Sequence, residues 1–227
     1  MADDIFLSPE EQDERAKKWL KDNGPALAIG VALGLGGVYG YNEYQANQIA
    51  QAELASEKYN KVLTTSNEST VASIEDVVDQ LKSDHANSAY AAKATLIRAK
   101  QLANSDLDAA YQELQWVVDN AAESGLVHTA RIRQAKIKIV QNDLVAAQAL
   151  ATQSSYDGFE SHYNEVLADI SRKQNKPEQA RDFYQKAIDG LAEGDFSYRQ
   201  ILTIKMDRLG IEEEVSEVTK DTTTSEK

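Results

Sequence analysis

Apolar and polar positions divide the chain into two unlike parts. Residues 23–42, "NGPALAIGVALGLGGVYGYN", carry no charge, and about 20 residues of helix rise roughly 30 Å, the thickness of a bilayer's hydrocarbon core. No polar face interrupts the stretch, which separates it from the half-wet helix of a soluble domain. After residue 42 the pattern changes. Apolar positions recur three and four apart in segments 73–84, 86–105, 106–124, 126–142, 143–154, 159–175, 176–194 and 197–210, with short polar turns between them. That period predicts helices throughout. Only "ARIRQAKIKIV" alternates as a strand would, and there alanines and basic residues at three- and four-residue spacing also suit a helix face. The expected fold class is all-α: a single N-terminal transmembrane helix followed by a solenoid of helical hairpins.

The flanks of the apolar stretch bear on how it is held. Ser8 can cap a helix, Pro9 suits its first turn and Glu11 completes a capping box, while Asn23 and Gly24 read as a stop and Pro25 as the first turn of the next helix. Residues 1–22 are therefore expected as a separate cytoplasmic amphipathic helix and residues 23–42 as the transmembrane helix. A cleavable signal peptide has a short basic start; this start is acid-rich and carries its own helix punctuation, so an uncut anchor is expected. Arg15, Lys17, Lys18 and Lys21 precede the span, whereas the first basic residue after it is Lys58. Basic residues collect on the cytoplasmic side, so the N-terminus is expected in the cytoplasm and the C-terminal domain in the periplasm of the bacterial inner membrane.

Glycines cluster in the same stretch. No GxGxxG or GK[ST] pattern accompanies them, so a phosphate-cradling loop is excluded. On a helix, Gly30, Gly34 and Gly37 form one stripe and Gly36 with Gly40 another. Such small-xxx-small spacing lets a neighbouring helix approach closely, although glycine is also simply common in membrane helices. Both readings stay open for the two stripes.

Beyond the span, "NKPEQARDFYQKAI" places Ala180, Tyr184 and Ala187 at intervals of four and three, the second-helix pattern of a tetratricopeptide repeat. Leu167 and Ala168 lie where the first helix of that repeat puts its leucine and its small residue. Ala147 precedes Ala180 by about 33 residues, with Ala135 about 12 before Ala147, close to the period of the repeat family. A looser copy surrounds Ala110. Residues 43–209 are thus expected as one tetratricopeptide-like domain, with a generic helical bundle as the competing architecture. Residues 210–227 are acidic and threonine-rich with little to bury, and are expected as a disordered tail.

Composition narrows the function. The chain has 227 residues and a net charge of −13, so a nucleic-acid backbone repels it at long range. It has no cysteine, which removes disulfides, thiolate metal sites and cysteine nucleophiles. His85, His128 and His162 show no metal-ligand spacing, and no GxSxG elbow supports a serine nucleophile. No catalytic residue, cofactor or metal site is expected, and the acidic residues read as solvated helix faces. Tyr90, Tyr111, Tyr156, Tyr163, Tyr184, Tyr198 and Trp116 are spread through the repeats, either as packing residues or as anchors for a bound peptide.

The combination "KKWLKDNGPALAIGVALGLGGVYGYNEYQ", degenerate repeats and a closing "ILTIKMDRL" resembles the YfgM family of ancillary SecYEG translocon subunits, from about Pro9 to Leu209. The resemblance implies a single-span inner-membrane protein with a periplasmic tetratricopeptide-like domain. It also implies as partners the SecYEG translocon and a PpiD-like membrane-anchored chaperone, with membrane lipid around the span and unfolded secretory proteins as further candidates. The expected function is a scaffold acting by protein–protein interaction; the alternative is a regulator linking envelope stress to a cytoplasmic response regulator. The tail after Leu209 departs from the family pattern.

Overall fold

The computed structural model describes residues 8–66, 72–152 and 158–224. Among these residues every regular element is a helix: α1 (Pro9–Ser66), α2 (Ala72–Asp84), α3 (Ala89–Leu102), α4 (Leu107–Asn120), α5 (Ser124–Val140), α6 (Leu144–Ala151), α7 (Glu160–Lys173), α8 (Pro177–Asp189) and α9 (Phe196–Thr224). The chain divides into two compact units, Met1–Leu54 and Ala55–Lys227.

α1 begins with the capping box read from the sequence. The Glu11 amide donates to Ser8 Oγ at 3.3 Å, and the Ser8 amide donates to Glu11 Oε2 at 3.1 Å. The helix end expected at Asn23–Gly24 is absent, because α1 runs through Pro25 without a break. The physical reason is local. Asn23 turns its side-chain amide back onto the Trp19 carbonyl at 2.9 Å, Gly24 keeps a negative φ, and Pro25 forfeits a single backbone bond. α1 holds the one candidate membrane span among the described residues, and none of that apolar window is buried by the protein itself.

In the second unit each helix packs on its chain neighbour, and α5 also packs on α3 and α7. Those skipped contacts stack one hairpin on the next, as repeats require. The turns repeat as well. Asn142 and Asn175 both hold left-handed backbones, φ 60° and 56°, after Gln141 and Gln174; asparagine tolerates that region better than most residues. Asp106 and Asp143 then cap α4 and α6, accepting from Ala109 and Ala146 amides at 2.9 and 3.1 Å.

No single core holds the unit together. Four buried clusters follow one another along the chain. The first takes Ala55 and Val62 from the end of α1 together with Ile74, Val78 and Leu81 of α2. Ala135 and Ala147 are fully buried in the third, where Leu167 packs against them. Ala168, Ala180, Tyr184 and Ala187 are fully buried in the fourth with Leu202 and Leu209. Alanine at these crossings brings helix axes close, and tyrosine and leucine fill the space beside them.

The expected boundary at residue 210 is not a helix end, since α9 continues to Thr224. Gly210 keeps a negative φ. One glycine costs a helix only about 1 kcal/mol, and no proline follows to stop it. Residues 225–227 lie outside the described residues.

A charged cluster ties α5, α7, α8 and α9 together. Glu165 is only 3% exposed, yet Lys136 and Lys205 reach its carboxylate at 2.7 and 2.8 Å and the Tyr198 hydroxyl donates to it at 2.8 Å. Lys205 also meets Asp169 at 2.7 Å, which accepts from the Tyr184 hydroxyl as well. Burial alone raises the Glu165 pKa, but the two ammoniums outweigh it and hold the carboxyl at about 2. A carboxyl depressed on folding stabilises the fold above its unfolded pKa, and that support disappears as pH falls through the folded value. The acids expected on solvated faces include two that are not: Glu165 is buried and Asp169, four residues on, is half-buried.

Two outcomes follow from this packing. Ala180→Leu forces extra carbons into a filled crossing and lowers stability by about 1–3 kcal/mol, measured as a reduced urea midpoint with unchanged helicity. Glu165→Gln lowers stability at pH 7 by roughly 3 kcal/mol and flattens the loss that the native protein shows from about pH 5 down to pH 2, read from urea midpoints across that range.

Candidate functional site

Among the described residues, two apolar surfaces stand open. The first is the apolar part of α1. Leu33 and Leu35 are 72% and 67% exposed. Gly30, Gly34, Gly36, Gly37 and Gly40 all lie in open space, with no atom within 4 Å of where a Cβ would stand. Gly30 leaves a hollow flanked by Trp19, Asn23 and Leu27. The structure places both stripes on one uninterrupted helix, and among the described residues of the first unit no other element packs against them.

The second surface is a groove of about 560 Å³ between α3, α4 and α5. Ala99 and Ala103 keep its α3 wall low, and Leu107, Leu114, Ile137 and Val140 supply an apolar floor. Polar lining comes from Asn104, Lys100, Arg133 and Lys136. Arg133 crosses from α5 to donate Nη1 to the Leu96 carbonyl of α3 at 3.2 Å, and loss of water around its guanidinium holds its pKa below the ordinary value. The sequence reading singled out none of these positions. The cations at 100, 133 and 136 come from two different helices, so their convergence has no local signature.

The other candidate residues are packing groups. Tyr163 and Tyr184 are buried; Tyr90, Tyr111, Tyr198 and Trp116 are half-buried against the clusters; Tyr156 lies outside the described residues. His128 is buried, with Nδ1 2.9 Å from the Tyr163 hydroxyl. His162 stacks on Tyr198 with ring centroids 4.9 Å apart, and burial pushes its pKa down. Among the described residues, no group of three or more histidine, aspartate or glutamate side chains could hold a metal ion. The surfaces are therefore suited to binding, by close helix contact in one case and by an apolar recess with a basic rim in the other.

Comparison with known proteins agrees with this geometry. A family model described as a tetratricopeptide repeat-like domain matches residues 17–211. An ancillary SecYEG translocon subunit from Escherichia coli (strain K12) is 28% identical over 60% of this chain and 66% of its own length. The subunit of that name from Haemophilus influenzae is 22% identical over 80% of this chain and 89% of its own. The one from Aggregatibacter actinomycetemcomitans is 24% identical over 90% and 99%. No solved structure matches the chain. With nearly all of its described helices inside the family match, the chain belongs to the tetratricopeptide repeat-like family, within the YfgM group of that family.

Proposed function

We propose that this protein is a membrane-anchored scaffold, an ancillary subunit of the SecYEG translocon in the bacterial inner membrane. The observation that carries the reading is an apolar, glycine-striped helix left uncovered by its own protein, in a chain whose remaining helices are repeats. Lipid covers most of that helix. The stripes through Gly30, Gly34 and Gly37 and through Gly36 and Gly40 receive a neighbouring translocon or chaperone helix, because packing there needs backbones to approach closely. The N-terminus lies in the cytoplasm and the repeat domain in the periplasm, as the basic residues before the span favour.

No bond is made or broken in this role. The repeat domain holds a PpiD-like chaperone near the channel exit, and tethering raises the chaperone's effective concentration around an emerging chain. Unfolded secretory proteins are contacted secondarily. The names of the three relatives support the translocon assignment; the chaperone and the client contacts are inferred from the repeat architecture and the family resemblance.

The absence of cysteine makes topology directly measurable. Single-cysteine variants Ser8→Cys and Ser105→Cys, treated in spheroplasts with a membrane-impermeant maleimide, should differ, with label entering Ser105→Cys alone. The reverse labelling would put the repeats in the cytoplasm and end the proposal. Replacing Gly30, Gly34 and Gly37 together by leucine should leave membrane insertion intact and reduce co-purification of SecYEG in mild detergent by roughly tenfold; unchanged recovery would remove that stripe from the contact.

A further inference from the structure

Every charged side chain lining the α3–α5 groove is basic: Lys100, Arg133 and Lys136. This runs against the chain as a whole, where acids outnumber bases 37 to 24. Two of the three cations lack an acid partner. Among the described residues Lys100 has no acid partner, and Arg133 donates to a neutral carbonyl. Lys136 shares the buried Glu165 with Lys205. Lys100 and Arg133 are both open to solvent and no acid among the described residues competes for them, so an arriving carboxylate forms a new ion pair there without breaking an existing one.

The floor asks for something different. Val140 is 68% exposed although it lines a recess, and Leu107 and Ile137 lie beside it. The volume falls within the span typical of ligand sites, about 300–1,000 Å³. An occupant must therefore carry aliphatic groups and carboxylates close together. A flat anionic membrane surface meets protruding lysines; it does not enter a recess. A peptide segment does both, since side chains of alternating character sit a few ångströms apart along it.

We propose that the groove between α3, α4 and α5 binds an acidic, apolar peptide segment of a partner protein, its aliphatic side chains on Leu107, Ile137 and Val140 and its carboxylates on Lys100 and Arg133. The proposal rests on the scaffold reading above and names the kind of partner segment that the repeats hold.

The test uses the full-length protein in detergent micelles and a fluorescein-labelled peptide of sequence Asp-Leu-Glu-Val-Asp-Leu, read by anisotropy. Saturable binding is expected for this peptide and not for Lys-Leu-Lys-Val-Lys-Leu or Asp-Ser-Glu-Ser-Asp-Ser. The double variant Lys100→Glu, Arg133→Glu should weaken it about tenfold, while Lys186→Glu, on α8, leaves it unchanged. Should the double variant lose helicity, Lys100→Gln alone must still weaken binding, and added salt must weaken the native complex. Equal binding of the basic peptide, or full affinity in both groove variants, would overturn the proposal. So would phosphatidylglycerol vesicles binding through Lys100 and Arg133 when the acidic peptide does not. Co-purification separates the two readings: translocon recovered with no peptide binding ends this proposal alone, whereas peptide bound with no translocon recovered leaves the groove assignment standing and ends the scaffold reading.

Discussion

An apolar helix that its own protein leaves bare must be covered by something else, and the rest of this molecule is arranged around that requirement. Leu27, Ile29, Val31, Leu33, Leu35 and Val38 are all exposed on α1. Burying a large aliphatic side chain is worth about 1.5–3 kcal/mol, so the six together rival the roughly 5–15 kcal/mol net stability of a domain. A bilayer supplies that cover. It does not explain the glycines, which contribute almost no apolar area and weaken a helix by about 1 kcal/mol each. Six of them in residues 23–42 make physical sense where a second helix comes close enough to gain from their absent side chains.

The second unit meets the same requirement with its own side chains. Alanines at 135, 147, 168 and 180 sit at the crossings with no exposed surface, so neighbouring helices approach until tyrosine and leucine fill what remains. Because the buried residues of each cluster come from three consecutive helices, the unit is built by stacking and has no common centre. Stacking also leaves recesses where small residues line a wall. Ala99 on α3 and Ala103 just past its end do this, and the groove beside them follows directly.

Legibility in the sequence tracked the range of the interaction responsible. The described helical segments between residues 73 and 210 and the capping box at Ser8 and Glu11 are set by contacts within a few residues or by a fixed period, and could be read. Helix ends were less transparent. Asn23 and Gly24 looked like a stop, yet Gly24 keeps a negative φ and α1 passes through Pro25, whose missing amide and ring cost a helix about 3 kcal/mol without ending it. Gly210 failed as a stop for a similar reason, since a lone glycine taxes a helix without ending it. The Glu165 cluster and the basic groove were invisible, because each assembles residues from helices separated by tens of positions, and a charged residue on one face of a helix reads as solvated until the neighbour that buries it is known.

Lys136 connects these hidden features. It lines the groove and is fixed at 2.7 Å from the nearly inaccessible Glu165, whose charge is retained because Lys136 and Lys205 outweigh the cost of burial. A lysine on a free surface must surrender rotamer freedom to meet a ligand, and immobilising such a side chain costs about 0.5–1.5 kcal/mol. Here that cost is met on folding, through the same carboxylate that joins α5 to α7 and α9. Lys100, on the opposite wall, has no such tether. One wall of the groove is therefore preorganised by the stack and the other is free to adapt, which suits a site that recognises a class of segment by its chemistry and not one fixed shape.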